Sequence, residues 1–251
     1  IALIGERGRE VGPFLEDCLG PAGMARSVVV VATCEQTPLM RLRASQAAIA
    51  IADSFRESGA NVLFMIDSLT RLAMAQRELG LLLGEPPSAR GYTPSVFQVL
   101  ANTIERLGNA AVGGITALLT VLVDGGDLDE PISDAVRSLV DGHIVLDRKI
   151  AERGFYPAID VSRSVSRVAT DVVDRPHALA ARKLRSILAT HAEVQDLIRI
   201  GAYSRGSSPQ VDKAIELMPR VEKFLKQAVG ERANFEQTRA ALSQLISAWP
   251  F

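Results

Sequence analysis

The sequence is poor in cysteine, in long apolar runs and in charge of one sign. Two cysteines among 251 residues are too few to cross-link the chain, so reduced thiols in a cytosolic setting are expected. The longest unbroken apolar runs, 28–32 and 47–52, are far shorter than the roughly 20 residues of a membrane span. A formal net charge of -1 lacks the basic excess typical of nucleic-acid-binding domains.

The first residues are also not typical of a signal peptide. The apolar stretch 1–4 carries no basic start, and Glu6, Arg7 and Arg9 follow at once. The sequence therefore reads as one that enters in the middle of a domain.

A hydrophobic content of 47% predicts a sizeable core. Short β-branched runs alternate with helical patterns over the first two thirds, which predicts an α/β fold with a mostly parallel sheet flanked by helices. The predicted strands are 1–4, 27–32, 61–66, 114–122 and 142–146, and helices are predicted at 39–56 and 69–83. Two glycines and three prolines predict an irregular loop at 84–94, and such elaborate loops often serve function.

Strand signals stop after about residue 171. Helices are predicted at 178–200, 211–228 and 234–248, with a kink or break of the middle helix at Pro219. We therefore predict two domains, a core at 1–172 and a small C-terminal helical domain at 173–251.

Several polar residues follow predicted strands, where ligands bind in open α/β folds. Asp67 ends an apolar strand and suits Mg²⁺ bound to nucleotide phosphates, although hydrophobic strands ending in Asp are common and a turn or a helix cap would also explain it. Glu6 could polarise a water molecule, and Arg7 could hold phosphate oxygens, or the segment 5–10 could be a solvated helix start.

Two further candidates lie later in the chain. Arg167 could serve as an arginine finger or be an ordinary surface arginine. Tyr156 could stack on a base or pack in a core.

One motif is missing from the chain. A Walker-A phosphate loop requires glycine followed by lysine, and none of the 19 glycines precedes a lysine. The chain therefore carries no phosphate-loop sequence.

Taken together, six segments in a fixed order make the sequence distinctive: 4–11, 65–71, 84–92, 156–160, 164–168 and 197–203. This set resembles the flagellar and type III secretion export ATPases, which are relatives of the rotary ATP synthase catalytic subunits. The resemblance covers essentially the whole chain and implies a partial RecA-like core that lacks its Walker-A segment and the N-terminal barrel.

The resemblance implies roles for individual residues. Glu6 resembles the catalytic glutamate that activates water, with Arg7 beside it, and Asp67 resembles the Walker-B residue for Mg²⁺. Arg71 is similar to the arginine near the γ-phosphate, and Tyr156 to the aromatic residue that stacks on adenine. Arg167 matches the arginine finger that acts across a subunit interface. The implied cofactors are ATP and Mg²⁺.

The resemblance also implies partners for a whole protein of this kind. These are a homohexameric ring, a central coiled-coil stalk, a peripheral-stalk regulator, and export chaperones with their substrates, at a cytoplasmic site peripheral to the inner-membrane export gate. The loop 84–94 and the C-terminal helices are the expected contacts for stalk and chaperones. The chain alone is expected to be an inactive monomer.

Two alternatives remain at this point. A non-catalytic docking module for chaperones and stalk proteins would fit the missing phosphate loop. A rotary ATPase or ring-shaped RNA helicase would predict an acidic lever or an RNA-binding domain, and the sequence shows neither.

Overall fold

A computed structural model describes residues 1–250, apart from the side chain of Ala89. The chain packs as two compact units, one formed by residues 1–140 and the other beginning at Asp141. This division lies earlier than the domain boundary predicted at residue 172, which stays a prediction. None of the helices within residues 1–250 combines the length and the hydrophobicity of a membrane span.

The first unit is built around a four-stranded parallel sheet, which confirms the predicted α/β class. Its strand order is β2-β1-β3-β4, so β1 lies between β2 and β3. The strands are β1 (Ala2–Ile4), β2 (Val30–Ala32), β3 (Asn61–Asp67) and β4 (Gly114–Leu119). The helices of this unit are α1 (Gly8–Pro13), α2 (Gly20–Met24), α3 (Pro38–Glu57), α4 (Leu69–Leu82), α5 (Pro94–Glu105) and α6 (Pro131–Leu139).

The sequence explains why the long helices begin where they do. The side chain of Thr37 accepts a hydrogen bond from the amide of Met40 and so caps α3, and Pro38 occupies its first turn.

A core of aliphatic side chains from the sheet and helices fills the unit, with Ile4, Ile66 and Leu72 fully buried in it. Burial of these side chains is the main source of the unit's stability.

A π-helical turn interrupts the first helical segment. It spans Phe14–Leu19 and joins α1 to α2, and no residue of these three elements is buried. This helical segment was not predicted, because two prolines and four glycines between residues 8 and 24 obscure a helical pattern.

The second unit combines a two-stranded antiparallel sheet with helices. Its strands are β5 (Gly142–Leu146) and β6 (Ile159–Ser166), and its helices are α7 (Arg148–Glu152), α8 (Ala169–Val172), α9 (Arg175–Arg199), α10 (Pro209–Leu225) and α11 (Phe235–Ile246). The last three helices share a core that includes Ile187, Leu217 and Trp249. The predicted helical end of the chain is therefore confirmed.

Of the predicted kink or break at Pro219, the break is wrong, and the kink stays a prediction. The helix α10 runs through this proline as one element, and its side chain is exposed. A proline removes one helical hydrogen bond, but burial of Ala214, Leu217 and Val221 on the other side of the helix stabilises α10 on both sides of the proline.

Candidate active site

The site is built where β1 and β3 reach the same edge of the sheet. The two strands are parallel neighbours, with Leu3 paired to Asp67. Because parallel strands end at a common edge, Glu6 and Asp67, which are 61 positions apart in the sequence, come into electrostatic range of each other. The sheet thus joins two motifs that were separate in the sequence.

A glycine turns the chain at the end of β1. Gly5 has a φ of 76°, a left-handed conformation that side chains disfavour, and its amide donates to the carbonyl oxygen of Ala32 at 2.6 Å. A Cβ atom on Gly5 would stand 2.9 Å from two side-chain carbons of Arg71. The turn therefore brings the main chain directly against Arg71.

Arg71 is placed by the start of α4. The side chain of Ser68 caps this helix by accepting a hydrogen bond from the amide of Arg71 at 3.3 Å. The Nε atom of Arg71 lies 2.8 Å from the Oε1 atom of Glu6, and the two side chains are 31% and 16% exposed. The opposite charges of the two side chains attract each other more strongly than a hydrogen bond between them does, so the pair is mainly electrostatic.

The two carboxyl groups of the site have perturbed acidities. Burial raises the pKa of Glu6, Asp67 and Glu10 raise it further, and Arg71 opposes the shift. Burial also raises the pKa of Asp67, again against the effect of Arg71. Carboxyl groups with raised pKa values beside a cation are typical of sites that move protons or bind charged ligands.

The donor set at this edge is compatible with magnesium. Among the residues that the structure describes, no three His, Cys, Asp or Glu side chains cluster as a metal site. Mg²⁺ is usually held by one or two carboxylates together with substrate phosphates and water, rather than by a cage of protein ligands. Asp67, with Glu6 beside it, fits this mode of binding.

Arg7 has a different environment from Arg71. It occupies the N-cap position of α1, and its Nη1 atom lies 3.3 Å from the Oε1 atom of Glu10. Both side chains are about half exposed. An exposed pair of this kind contributes little to stability, so Arg7 is available to a ligand at low cost.

Tyr156 and Arg167 belong to the second unit. Tyr156 is 58% exposed, while its carbonyl oxygen accepts a hydrogen bond from the amide of Gln227 at 3.0 Å. Arg167 directly follows β6, and its amide donates to the carbonyl oxygen of Asp141 at 2.7 Å. In each case the main chain is fixed and the residue is exposed at the surface of its unit.

Sequence reasoning missed the residues that support the site. Ser68 and Gly5 were recognised only as parts of motifs, although a serine before an apolar helical run is a helix-start signal and a glycine after a strand is a turn signal. The backbone contacts that give them importance join distant segments, and no local pattern reveals those contacts.

Hydrogen bonds hold the loop 84–94 to the helices on either side of it, α4 and α5. The Nε atom of Arg77 donates to the carbonyl oxygen of Gly91 at 2.7 Å, and the amide of Ser95 donates to Glu85 at 3.2 Å. Three exposed leucines, Leu81, Leu82 and Leu83, precede the loop. The expected role of this loop in partner binding stays a prediction.

Comparison with known sequences places the chain in a family. Residues 1–166 match the nucleotide-binding domain of the ATP synthase alpha/beta family, and residues 173–244 match the T3SS EscN ATPase C-terminal domain. A flagellum-specific ATP synthase of Bacillus subtilis is 54% identical over 245 residues, which cover 98% of this chain and 56% of that protein. A type 3 secretion system ATPase of Pseudomonas syringae is 46% identical over 248 residues, covering 99% of this chain and 55% of that protein.

A solved structure agrees with this placement. The assembled ATPase EscN of the enteropathogenic E. coli type III secretion system matches with a TM-score of 0.94 and 44% identity, over 98% of this chain and 59% of that one. The chain thus spans little more than half the length of the relatives it matches. The resemblance drawn from the sequence motifs is confirmed: the chain belongs to the ATP synthase alpha/beta family and is similar there to the flagellar and type III secretion ATPases.

Proposed function

We propose that the chain is the catalytic half of an ATPase that energises flagellar or type III protein export. The observation that carries this proposal is the convergence of Glu6, Asp67 and Arg71 at one edge of a parallel sheet, with both carboxyl pKa values raised. A surface used only for docking has no need of a half-buried carboxylate paired with an arginine.

In the proposed reaction a water molecule attacks the γ-phosphorus of ATP, and the bond from this phosphorus to the bridging oxygen of ADP breaks. Glu6 orients the water and accepts its proton, and its raised pKa makes it a better base than a solvated carboxylate. Arg71 holds Glu6 in place and offers positive charge to the phosphoryl oxygens. Mg²⁺, when bound near Asp67, supplies charge neutralisation of the phosphates.

The proposed roles of Tyr156, Arg167 and Arg7 concern the binding of the nucleotide. Tyr156 stacks on the adenine, and Arg167 reaches the nucleotide of a neighbouring subunit as an arginine finger, with Arg7 contributing to the phosphate side. The similar ATPase EscN has been described in its assembled form and in complex with its central stalk EscO. By analogy we propose a homohexamer with a central stalk, a peripheral-stalk regulator and chaperone-bound substrates, working peripherally at the cytoplasmic side of the membrane export gate.

The first experiment compares MgATP hydrolysis by this chain with hydrolysis by a version extended upstream through the expected phosphate loop. Only the extended protein should turn over, and its rate should rise more steeply than linearly with concentration, because subunits must assemble. If neither protein hydrolyses ATP, the docking-module interpretation replaces the enzyme.

A second measurement tests the assignment of Glu6. In the extended protein, Glu6→Gln should lower kcat by about 100-fold or more while nucleotide binding is retained. The matched control is Glu78→Gln, because Glu78 also pairs with an arginine, Arg41, but lies outside the site. Equal losses in both variants would contradict a catalytic role for Glu6.

A further inference from the structure

Thr70 makes a contact that the proposed chemistry does not use. It lies in the first turn of α4, next to Arg71, and is only 4% exposed. Its hydroxyl group donates to the carbonyl oxygen of Leu122 at 3.2 Å and accepts from the amide of the same residue at 2.8 Å. A hydroxyl has one donor and two acceptor sites, so this side chain satisfies both main-chain groups of one residue on the segment after β4.

The main chain reinforces this contact on the same side. The amide of Thr120 donates to the carbonyl oxygen of Ile66 at 3.0 Å, and the amide of Leu69 donates to the carbonyl oxygen of Thr120 at 2.9 Å. These two bonds bracket Asp67 and Ser68, which lie between Ile66 and Leu69. The pairing of β3 with β4 therefore continues past the end of both strands into the first turn of α4.

The same turn is held from its other side by β1. The amide of Ser68 donates to the carbonyl oxygen of Ile4 at 3.4 Å, and Gly5 leaves no free space against the side chain of Arg71. An arginine side chain is long and flexible and does not fix its own position. Where its charge lies therefore depends on the main chain that carries it, which for Arg71 is the first turn of α4. A shift of the first turn of α4 would carry Arg71 away from Glu6.

We propose that Thr70 is a positioning residue whose hydroxyl locks the first turn of α4 to Leu122 and thereby holds Arg71 against Glu6. The catalytic importance of this lock rests on the proposed function, but the lock itself is a property of the chain that can be measured without nucleotide. Thr70 touches none of the groups assigned to the reaction and acts through Arg71.

The test uses nuclear magnetic resonance of the 27.0 kDa chain. The readout is the ¹⁵N–¹H signal of the Arg71 Nε–H group, identified by its loss in Arg71→Lys and calibrated in Glu6→Gln, where the ion pair is absent. Thr70→Val should move this signal toward its position in Glu6→Gln, and the Leu122 amide should exchange with solvent about tenfold faster. Thr70→Ser, which keeps the hydroxyl group, should preserve both values.

Thr190→Val is the matched control. Thr190 is also buried, and its hydroxyl accepts from Gln210 at 3.4 Å in the second unit. This variant should leave the Arg71 signal unchanged. If Thr70→Val does not fold, Thr70→Ala removes the same hydroxyl without adding an apolar group.

An unchanged Arg71 signal in the variant that lacks the hydroxyl would overturn the proposal, even if Leu122 exchanges faster, because Thr70 would then only stabilise the fold. The same movement of the signal in Thr70→Ser, which keeps the hydroxyl group, would also overturn it. Neither reading depends on ATP hydrolysis, so failure of the proposed function and failure of this inference are distinguishable.

Discussion

Gly5 illustrates how one residue can control the site. It combines a left-handed φ of 76° with a close approach to Arg71, and both features exclude a larger side chain. The two effects can be separated, because Gly84 in the same unit has a φ of 83° and no neighbouring atom within 4 Å of an added Cβ.

We therefore predict that Gly5→Ala destabilises the chain more than Gly84→Ala does. The backbone conformation alone should cost about 1 to 2 kcal/mol in either variant, and crowding of Arg71 adds to the loss in the first. Urea unfolding of both variants measures the difference. Equal free energies of unfolding would mean that Arg71 moves aside freely and that the close approach at Gly5 is not restrictive.

The raised carboxyl pKa values give a second prediction at the residue scale. Because burial raises the pKa of Asp67 in the folded chain, the folded state binds protons more tightly than the unfolded state. This contribution to stability is present below the unfolded pKa and is lost as pH rises through the folded pKa. The charged form of Asp67 thus opposes folding at neutral pH.

Asp67→Asn should consequently gain stability relative to the unmodified chain as pH increases from about 4 to about 7. The measurement is the free energy of unfolding of both proteins across this range, without divalent cations. A difference that stays flat or falls with pH would contradict the raised pKa. Such a gain in stability on removal of the charge is expected where a residue is retained for function at a cost in stability.

Among the elements, the four longest helices were predicted well, whereas helix α5 (Pro94–Glu105) was not predicted. The helix predicted at 39–56 is observed at Pro38–Glu57, because an apolar face and a capping threonine act locally. The strand predicted at 27–32 shrinks to Val30–Ala32, since only these residues pair with β1. Strand β6 was not predicted, because its exposed serines and an arginine hide the alternation that would mark it.

Helix α10 carries a prediction of its own. Pro219 is exposed within this helix, where its missing N–H leaves one carbonyl group without a helical partner. Pro219→Ala should raise the stability of the second unit by about 1 to 2 kcal/mol, after allowance for the freer unfolded chain. The single tryptophan, Trp249, is buried in the same helical core and reports its unfolding by fluorescence.

The control for this prediction is Pro209→Ala. Pro209 occupies the first turn of α10, where a proline is favourable because no helical bond is lost. This variant should show no gain in stability. A gain of equal size in both variants would mean that the position of the proline within the helix is unimportant.

At the scale of the whole molecule, the proposed ring separates the residues of one reaction between two subunits. If Glu6 acts in its own subunit and Arg167 in a neighbour, then a subunit with Arg167→Ala and a subunit with Glu6→Gln can build a complete site between them. Neither variant alone can do so. The ring would therefore show complementation, which a site within a single subunit cannot show.

We predict that, in the extended protein, each variant alone is inactive and an equal mixture recovers up to about a quarter of the unmodified rate, the statistical share of complete interfaces in a cyclic ring. The measurement is MgATP hydrolysis after subunit exchange. A mixture as inactive as its components would contradict a role for Arg167 across the interface. Mixing Arg167→Ala with itself at the same total concentration is the control.

The family, the α/β class and the candidate residues could all be predicted from the sequence, because they depend on motifs, on hydrophobic periodicity and on residue chemistry, which are local. Three contacts could not be predicted in this way: Glu6 pairs with Arg71, Asp67 lies at the same edge of the sheet, and Thr70 binds the main chain of Leu122. The order of strands in a sheet is set by pairing between segments far apart in the chain, and a pattern within one segment does not encode it.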